Sequence, residues 1–313
     1  MAEKDITEKM LEDHNDVFSD IMNVFLFGGK QVIKAESLQM AQISSAYHDQ
    51  NELHQQDRDT AKFWKQENVN LSLLGIENQS TVDPDMPLRI IGYDGASYRG
   101  QLYTLKNKKG QFVRNKNQRY PVVSLVLYFG KNPWNKPKKL SEAVNIPTPL
   151  AKFVNDYTIN VMDVRRLSRK TVDQFSSDFK IVADYFWQLE NKGEYKGNED
   201  QITHLEEILN FFQYATNDKR FILKQQDLTG ERRPNNMSEV LDRVIEKGIQ
   251  QGIEKGIQQG KIQGEKEGSR KGKEEVTKLL KLLLAENNLE AIRKISEDPD
   301  YCEELLQKYH ISE

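Results

Sequence analysis

The stretches DTAKFWK (59–65) and VNLSLLGIENQ (69–79) decide the fold of this chain. Each is short, carries aromatic or aliphatic side chains, and is separated from the other by only three residues, 66–68. This arrangement is typical of two strands joined as a β-hairpin. With the turn centred between the stretches, Phe63 opposes Leu73 across the strand pair. The sequence therefore predicts a hairpin whose outer end lies near residues 59 and 77.

Two acidic residues face each other at that outer end. Asp59 opposes Glu77, and directly opposed Cβ atoms lie about 4.5–5.5 Å apart. Gln79 shares the face of Glu77, because side chains of a strand alternate between faces. A divalent cation between the carboxylates would remove their repulsion, and oxygen ligands without histidine or cysteine suit Mg²⁺ or Mn²⁺. Such an ion activates water for attack on a phosphodiester. The alternative is a pair of exposed acids at the rim of a sheet.

Composition limits the class of protein. The chain has 313 residues, of which 37% are hydrophobic and 30% charged, enough for one or two cores. The N-terminus lacks the pattern of a signal peptide, and the most apolar stretch, 122–129, is far too short to span a bilayer. A single cysteine, Cys302, excludes an internal disulfide and a cysteine-based zinc site. We expect a soluble, cytoplasmic protein.

Basic residues are concentrated in two stretches on either side of the apolar segment 121–129. The formal net charge is −3, so no global attraction to nucleic acid is expected. Residues 106–119 nevertheless carry six Lys or Arg and no acid, and residues 131–139 add four Lys around Trp134. They are either solvated loops or contacts to DNA phosphates. The candidate DNA-binding residues are Lys106, Lys108, Lys109, Arg114, Lys116, Arg119, Lys136 and Lys138.

The remaining periodicity indicates an α/β domain over residues 1–228. We expect it to be built around a small mixed sheet flanked by helices. Residues 30–56 are interpreted as further helix and loop. A helix starting at Asp83-Pro84 is expected to bury Leu88, Ile91 and Leu102. The other predicted elements are a helix over 16–27 ended by Gly28-Gly29, strands over 121–129 and 156–164, and helices over 170–192 and 201–214.

A polar linker, 229–236, separates this domain from a different kind of sequence. Glycine recurs at every fourth position from Gly248 to Gly272. Glycine weakens an isolated helix by about 1 kcal/mol per residue, yet this spacing would let two helices approach closely. The segment 237–273 is therefore either a helix that forms on self-association, making the protein a homo-oligomer, or a flexible tether. Residues 274–313 are predicted to form a small helical module.

The residues around the hairpin resemble a known family. The stretch ENQSTVDPDMPLRIIGY (77–93), with Asp59 upstream, is similar to the recombination-promoting nuclease/putative transposase family of bacteria, within the PD-(D/E)xK nuclease superfamily. The resemblance covers roughly residues 12–225 and includes DVFSDI (16–21), YPVVSLVLY (120–128) and TNDKRF (216–221). It implies a restriction-endonuclease-like core that binds Mg²⁺ or Mn²⁺ and acts on DNA.

The resemblance also implies roles for individual residues. Asp59 matches the metal-binding aspartate and Glu77 the acidic residue of the (D/E)xK element, whereas Gln79 stands where the superfamily usually has lysine. Glutamine can only hydrogen-bond, which places a stronger demand on the metal or on Arg89. Arg89 and Tyr93 lie four residues apart on the following helix, so they share a face. Asp16 or Asp20 could supply a further carboxylate, or both could be solvent-facing helix acids.

Three functions are compatible with these patterns. The first is a metal-dependent DNA endonuclease that serves recombination, a mobile element or defence, with Asp59, Glu77, Gln79 and Arg89 as catalytic residues. The second is a catalytically silent DNA-binding or oligomeric interaction protein that keeps the fold. The third, a transposase, would also need strand transfer. The histidines show no metal-ligand spacing in the sequence: His14, His48, His54, His204 and His310.

Overall fold

The computed structural model describes most of the chain as two compact units, residues 1–244 and 245–313. The described residues are 11–41, 44–49, 52–57, 59–67, 69–103, 105–106, 109–113, 119–216, 218–221 and 233–311.

A five-stranded mixed sheet forms the centre of the first unit. Its strand order is β1-β4-β5-β8-β9, with β4 antiparallel to its neighbours and β5, β8 and β9 parallel. Two small hairpins, β2–β3 and β6–β7, accompany it. The strands are β1 (Leu38–Met40), β2 (Ser44–Asp49), β3 (Glu52–Asp57), β4 (Thr60–Gln66), β5 (Val69–Gln79), β6 (Leu105–Lys106), β7 (Phe112–Val113), β8 (Val122–Tyr128) and β9 (Asn160–Asp163).

The predicted hairpin is confirmed as the pair β4–β5. Phe63 lies opposite Leu73 and Thr60 opposite Ile76, in the register that the sequence predicts. The register shifts by one residue after Trp64, at the end nearest the turn. The expectation of helix and loop for residues 30–56 holds for residues 30–37, which form a loop and a short 3-10 helix, Ala35–Ser37. It was wrong from residue 38 onward, where the chain forms β1, β2 and β3, whose polar sequences lack the apolar alternation by which a strand is recognised.

Helices cover both faces of the sheet. The first helix ends as predicted at Gly28, which adopts a left-handed conformation with φ of 61°. The predicted helices over 170–192 and 201–214 are each interrupted, the second by a π-helical turn over residues 211–215. The helices of this unit are α1 (Asn15–Phe27), α2 (Met86–Gly100), α3 (Leu140–Ala143), α4 (Arg169–Val172), α5 (Phe179–Lys192) and α6 (Leu205–Asn210).

Helix α2 buries a different face from the one expected. Met86, Ile90 and Tyr93 are buried against the sheet, whereas Leu88 is 41% exposed. The helix begins at Met86, after a turn in which the carboxylate of Asp83 accepts a hydrogen bond from the amide of Asp85 at 2.9 Å. The turn rotates the apolar stripe to positions 86, 90 and 93, and this rotation points Arg89 toward β5.

Two apolar layers enclose the sheet. The larger one contains α1, α5 and α6 together with Leu74, Ile76 and Leu125 from the sheet. The smaller one joins α2 to Val126 and Ile159. Even-numbered residues of β5 thus face α1, and odd-numbered residues from Leu73 onward face the side of α2. The restriction-endonuclease-like α/β class predicted from the sequence is confirmed.

One long helix, α7 (Met237–Ala285), contains all seven regularly spaced glycines. Its first residues, Met237 and Val240, are buried in the core of the first unit. In the second unit, Leu279 and Leu283 pack against α8 (Leu289–Glu297) and α9 (Pro299–Lys308). Between these ends, a Cβ built on any of the seven glycines would meet no described atom within 4 Å, apart from adjacent residues and the nearby backbone of α7 itself.

Candidate metal and nucleic-acid site

Asp59 lies at the outer end of the β4–β5 pair, where the backbone ladder stops. Its Oδ2 accepts a hydrogen bond from the amide of Asn78 at 2.7 Å, so the carboxylate continues the ladder in place of a backbone carbonyl. Thr60, the next residue, pairs with Ile76. The carboxylate of Asp59 is therefore held beside the peptide that links Glu77 to Asn78.

Glu77 faces α2 and is almost fully buried, with only 3% of its side chain exposed. Its Oε1 accepts a hydrogen bond from the guanidinium of Arg89, and the phenol of Tyr93 and the amide of Gln79 each lie 3.4 Å from the same oxygen. Arg89 also donates to Asp83 at 2.8 Å and to the hydroxyl of Tyr93 at 3.3 Å. Arg89 and Tyr93 thus share a face of α2, as the sequence predicts, and both lie beside Glu77.

The carboxylates determine the charge of their neighbours. Burial alone would lower the pKa of Arg89, but Glu77 and the hydrogen bond to Asp83 outweigh it and raise the pKa. Burial, with the negative charges of Glu77 and Asp59, raises the pKa of Tyr93. Arg89 therefore stays a cation and Tyr93 a neutral phenol at physiological pH. That Asp59 and Glu77 both act on Tyr93 places all three in one electrostatic environment.

Lys62 does not take the place of the lysine that the superfamily usually has at the position of Gln79. Its side chain lies on the α1 face, where Nζ donates to the carbonyl of Asp13 at 2.6 Å and to Oδ1 of Asn15 at 2.7 Å. Burial lowers its pKa from 10.5 to about 8, against the opposing effect of nearby acids. Because Glu77 and Gln79 lie on the opposite face, Lys62 supports the attachment of α1 to the sheet.

The two candidate carboxylates of α1 have other partners. Oδ1 and Oδ2 of Asp20 accept four hydrogen bonds of 2.8–2.9 Å from the backbone and hydroxyl groups of Ser176 and Ser177. Asp20 is 2% exposed and joins α1 to the turn before α5. Asp16 lies 3.0 Å from the ring of His204. Neither residue is included in the proposed Mg²⁺ site at Asp59 and Glu77.

Asp83 is a site residue that the sequence did not identify as one. The sequence placed it at the start of a helix. It lies instead in the turn before α2, and its Oδ2 also accepts a hydrogen bond from Arg89. Asp83 and Arg89 are six residues apart, one in a turn and the other in the helix that follows it. No regular spacing in the sequence indicates a contact between two such positions. Only the conformation of residues 80–85 brings Asp83 to Arg89.

The candidate DNA-binding residues fall into two groups with respect to this site. Arg119 precedes β8, whereas residues 131–139 follow it. Strands β5 and β8 are parallel, with Gln79 opposite Tyr128. Residues 131–139 therefore start at the same end of the strands as Glu77. Lys109, Arg119, Lys136 and Lys138 are exposed. Three further candidates, Lys108, Arg114 and Lys116, lie outside the described residues. For Lys106 the backbone is described but the side chain is not.

Aromatic contacts hold the basic stretch against the sheet. The rings of Tyr128 and Trp134 meet edge to face with centroids 5.2 Å apart, and the hydroxyl of Tyr128 donates to the carbonyl of Asn132 at 2.7 Å. Farther along, the carbonyl of Lys138 accepts from the amide of Ile159 at 2.8 Å. The stretch therefore begins at the candidate site and runs back along the edge strand β9.

The donor set of the site fits a hard divalent cation. Asp59 and Glu77 supply carboxylates and Gln79 a carboxamide oxygen, all at one end of adjacent strands. Mg²⁺ is commonly held by one or two carboxylates, with water and substrate phosphate completing its coordination. Arg89 would have to yield its place at Glu77, which the one-third exposure of its side chain permits.

The fold is that of an α/β domain in which helices flank a five-stranded mixed sheet. The chain belongs to the family described as "Putative transposase, YhgA-like", whose model matches residues 14–215, and this family is the recombination-promoting nuclease group related to PD-(D/E)xK proteins. Membership indicates a transposase- or nuclease-like role that involves DNA. No curated protein and no solved structure matches the chain. Among the described helices, none combines the length and apolarity that crossing a bilayer requires.

Proposed function

We propose that this protein is a metal-dependent DNA endonuclease that hydrolyses phosphodiester bonds with Mg²⁺ or Mn²⁺. The observation that carries the proposal is the position of Asp59 beside the Glu77–Asn78 peptide, with Glu77 buried on the α2 face. A buried carboxylate next to a second one is costly unless cations compensate it. A role in recombination, in a mobile element or in defence is compatible with this activity.

Each side chain of the site has a chemical task in the proposed reaction. Asp59 and Glu77 would hold the ion, which when bound activates water and neutralises charge on the phosphate. Gln79 would orient the attacking water through its carboxamide. Arg89 is a permanent cation that donates a hydrogen bond to the hydroxyl of Tyr93. Its guanidinium would turn from Glu77 to a phosphate oxygen of the DNA. Tyr93 would then donate a hydrogen bond within the site, since burial keeps it protonated.

Metal dependence is the first test of the activity. Supercoiled plasmid should be nicked by the purified full chain in Mg²⁺ or Mn²⁺ and remain intact in EDTA, with activity returning when the metal is restored. The Asp59→Asn variant, purified in parallel, controls for contaminating nuclease. Equal nicking by both preparations, or nicking that persists in EDTA, would contradict the proposal.

One observation favours the silent alternative. Arg89 already binds Glu77 and Asp83 together, so the carboxylate has a cationic partner without a metal. If this ion pair is permanent, the domain would bind DNA or other proteins without cutting. DNA retention in a gel-shift experiment, with no cleavage in either metal, would support this alternative and reject the first.

The basic stretch 131–139 is proposed to contact the DNA backbone. We expect the double variant Lys136→Gln/Lys138→Gln to weaken DNA binding about 3- to 30-fold at moderate salt. The slope of log affinity against log salt concentration should become shallower by about the amount that two phosphate contacts contribute. Lys30→Gln is the matched control. Lys30 is exposed beyond the end of α1, where Phe27 packs near Trp64 at the opposite end of β4. Equal affinities for all three proteins would remove residues 136 and 138 from the interface.

The glycine-containing part of α7 is proposed to pair with a second copy of the chain. Five isoleucines on this helix are 58–68% exposed: Ile245, Ile249, Ile253, Ile257 and Ile262. Ile249, Ile253 and Ile257 each immediately follow one of the glycines spaced four residues apart. This spacing permits close approach of helix backbones. In sedimentation velocity, Ile249→Gln/Ile253→Gln/Ile257→Gln should convert an oligomer to a monomer, and Gln251→Ala should not. A wild-type chain that sediments as a monomer would refute this assembly.

A further inference from the structure

A second cluster of metal-ligating side chains lies outside the Asp59–Glu77 site. The rings of His14 and His204 stack with centroids 3.7 Å apart and planes inclined by 21°. Nε2 of His14 lies 3.4 Å from Oε1 of Glu207, and Nε2 of His204 lies 3.0 Å from Oδ2 of Asp16. One ligand atom from each of His14, His204 and Glu207 lies within 4.8 Å of the other two. Two imidazoles and a carboxylate therefore converge, with a second carboxylate beside them.

The backbone of both histidines is fixed by neighbouring structure. His14 immediately precedes α1, and its carbonyl accepts from the amide of Phe18 at 2.9 Å. His204 immediately precedes α6, and its carbonyl accepts from the amide of Ile208 at 3.0 Å. The amide of His204 also donates at 2.5 Å to the buried Asp178. Both rings are thus presented from rigid elements, as an effective metal site requires.

We propose that His14, His204 and Glu207 form a binding site for a zinc-type divalent cation. Two imidazole nitrogens with one carboxylate are a common donor set for Zn²⁺ and differ from the all-oxygen set that Mg²⁺ prefers. Bonds of about 2.0–2.1 Å in a tetrahedral site place ligand atoms about 3.3 Å apart. The separation between His14 and Glu207 already matches this value, and rotation of one ring would close the rest. Asp16 or water would complete the coordination.

This cluster is distinct from the proposed Mg²⁺ site. It lies at the start of α1, where Oε2 of Glu12 accepts a hydrogen bond from the side chain of Asn78 at 2.8 Å. Asn78 points to the α1 face of the sheet, whereas Glu77 points to α2. A cation bound here would tie α1 to α6, two elements nearly 190 residues apart in the sequence, and would stabilise the first unit.

Zinc titration of the full chain tests the site directly. The EDTA-treated protein, in excess Mg²⁺, competes with a chromogenic chelator for added zinc chloride. We expect one equivalent of Zn²⁺ to bind, and His14→Asn and His204→Asn each to weaken the affinity at least about tenfold. Glu206→Gln, on α6, and His310→Asn, in the second unit, alter exposed residues of the same types and should bind zinc normally. Glu77→Gln should also bind normally, which separates this result from the nuclease proposal.

A structural readout accompanies the titration, because a histidine variant could fail to fold. X-ray absorption at the zinc edge should show imidazole nitrogens at about 2.0–2.1 Å in the wild type. Tryptophan fluorescence melting should show a zinc-dependent increase in the stability of wild type that the folded histidine variants lack. The proposal is overturned if the folded wild type binds no zinc, or if neither histidine substitution changes the affinity.

Discussion

Glu77→Gln is expected to lower Mg²⁺-dependent plasmid cleavage by more than about 100-fold. Substituting an outer-shell partner of a metal ligand typically costs about 10- to 100-fold, and loss of a charged ligand should cost more. Glutamine has nearly the same shape and can still accept a hydrogen bond from Arg89. The effect should therefore fall on catalysis rather than on folding, which initial rates of nicking over a series of enzyme concentrations can measure.

Asp85→Asn is the matched control for Glu77→Gln. Asp85 is an exposed acid that immediately precedes α2, in the same turn as Asp83. Its substitution removes one negative charge near the site without touching Glu77, so activity should stay within about twofold. Cleavage that survives Glu77→Gln, or an equal loss in both variants, would remove Glu77 from the metal site.

Arg89→Met is expected to destabilise the first unit by about 2 kcal/mol in the absence of metal. Removing one partner of a buried ion pair leaves the other charge uncompensated, at a typical cost of about 3–5 kcal/mol. Here Glu77 is 3% exposed but Arg89 is 34% exposed, so water restores part of the lost stabilisation. Thermal melting followed by tryptophan fluorescence reports on the first unit alone, because Trp64, Trp134 and Trp187 all belong to it.

A double variant and added metal separate the causes of this destabilisation. Adding Glu77→Gln to Arg89→Met removes the buried charge and should recover most of the lost stability. Mg²⁺ bound at Glu77 should stabilise Arg89→Met more than the wild type, since in the wild type it must displace the guanidinium. Arg99→Met, an exposed change on the last turn of α2, should leave melting unaltered. A melting temperature unchanged in Arg89→Met would show that the ion pair does not neutralise Glu77.

Short-range patterns account for what could be predicted. The alternation in residues 59–65 and 69–79 and the short turn between them determine the β4–β5 register, and with it the position of Glu77 and Gln79 on one face. Gly28 ends α1 because glycine adopts the left-handed conformation without steric cost. These features depend on neighbours within a few residues, so the sequence alone contains the relevant information.

The tertiary structure decided what depends on distant or aperiodic contacts. The polar strands β1, β2 and β3 have no periodic signal, and the start of α2 at Met86 determined which helix face is buried. The parallel pairing of β5 with β8 brought residues 131–139, and not Arg119, to the end of the strands where Glu77 lies. His14 and His204 show no ligand spacing along the chain, yet packing of α1 near α6 stacks their rings at 3.7 Å. Sequence spacing reports only local geometry, whereas such sites arise when a shared core brings separate elements together.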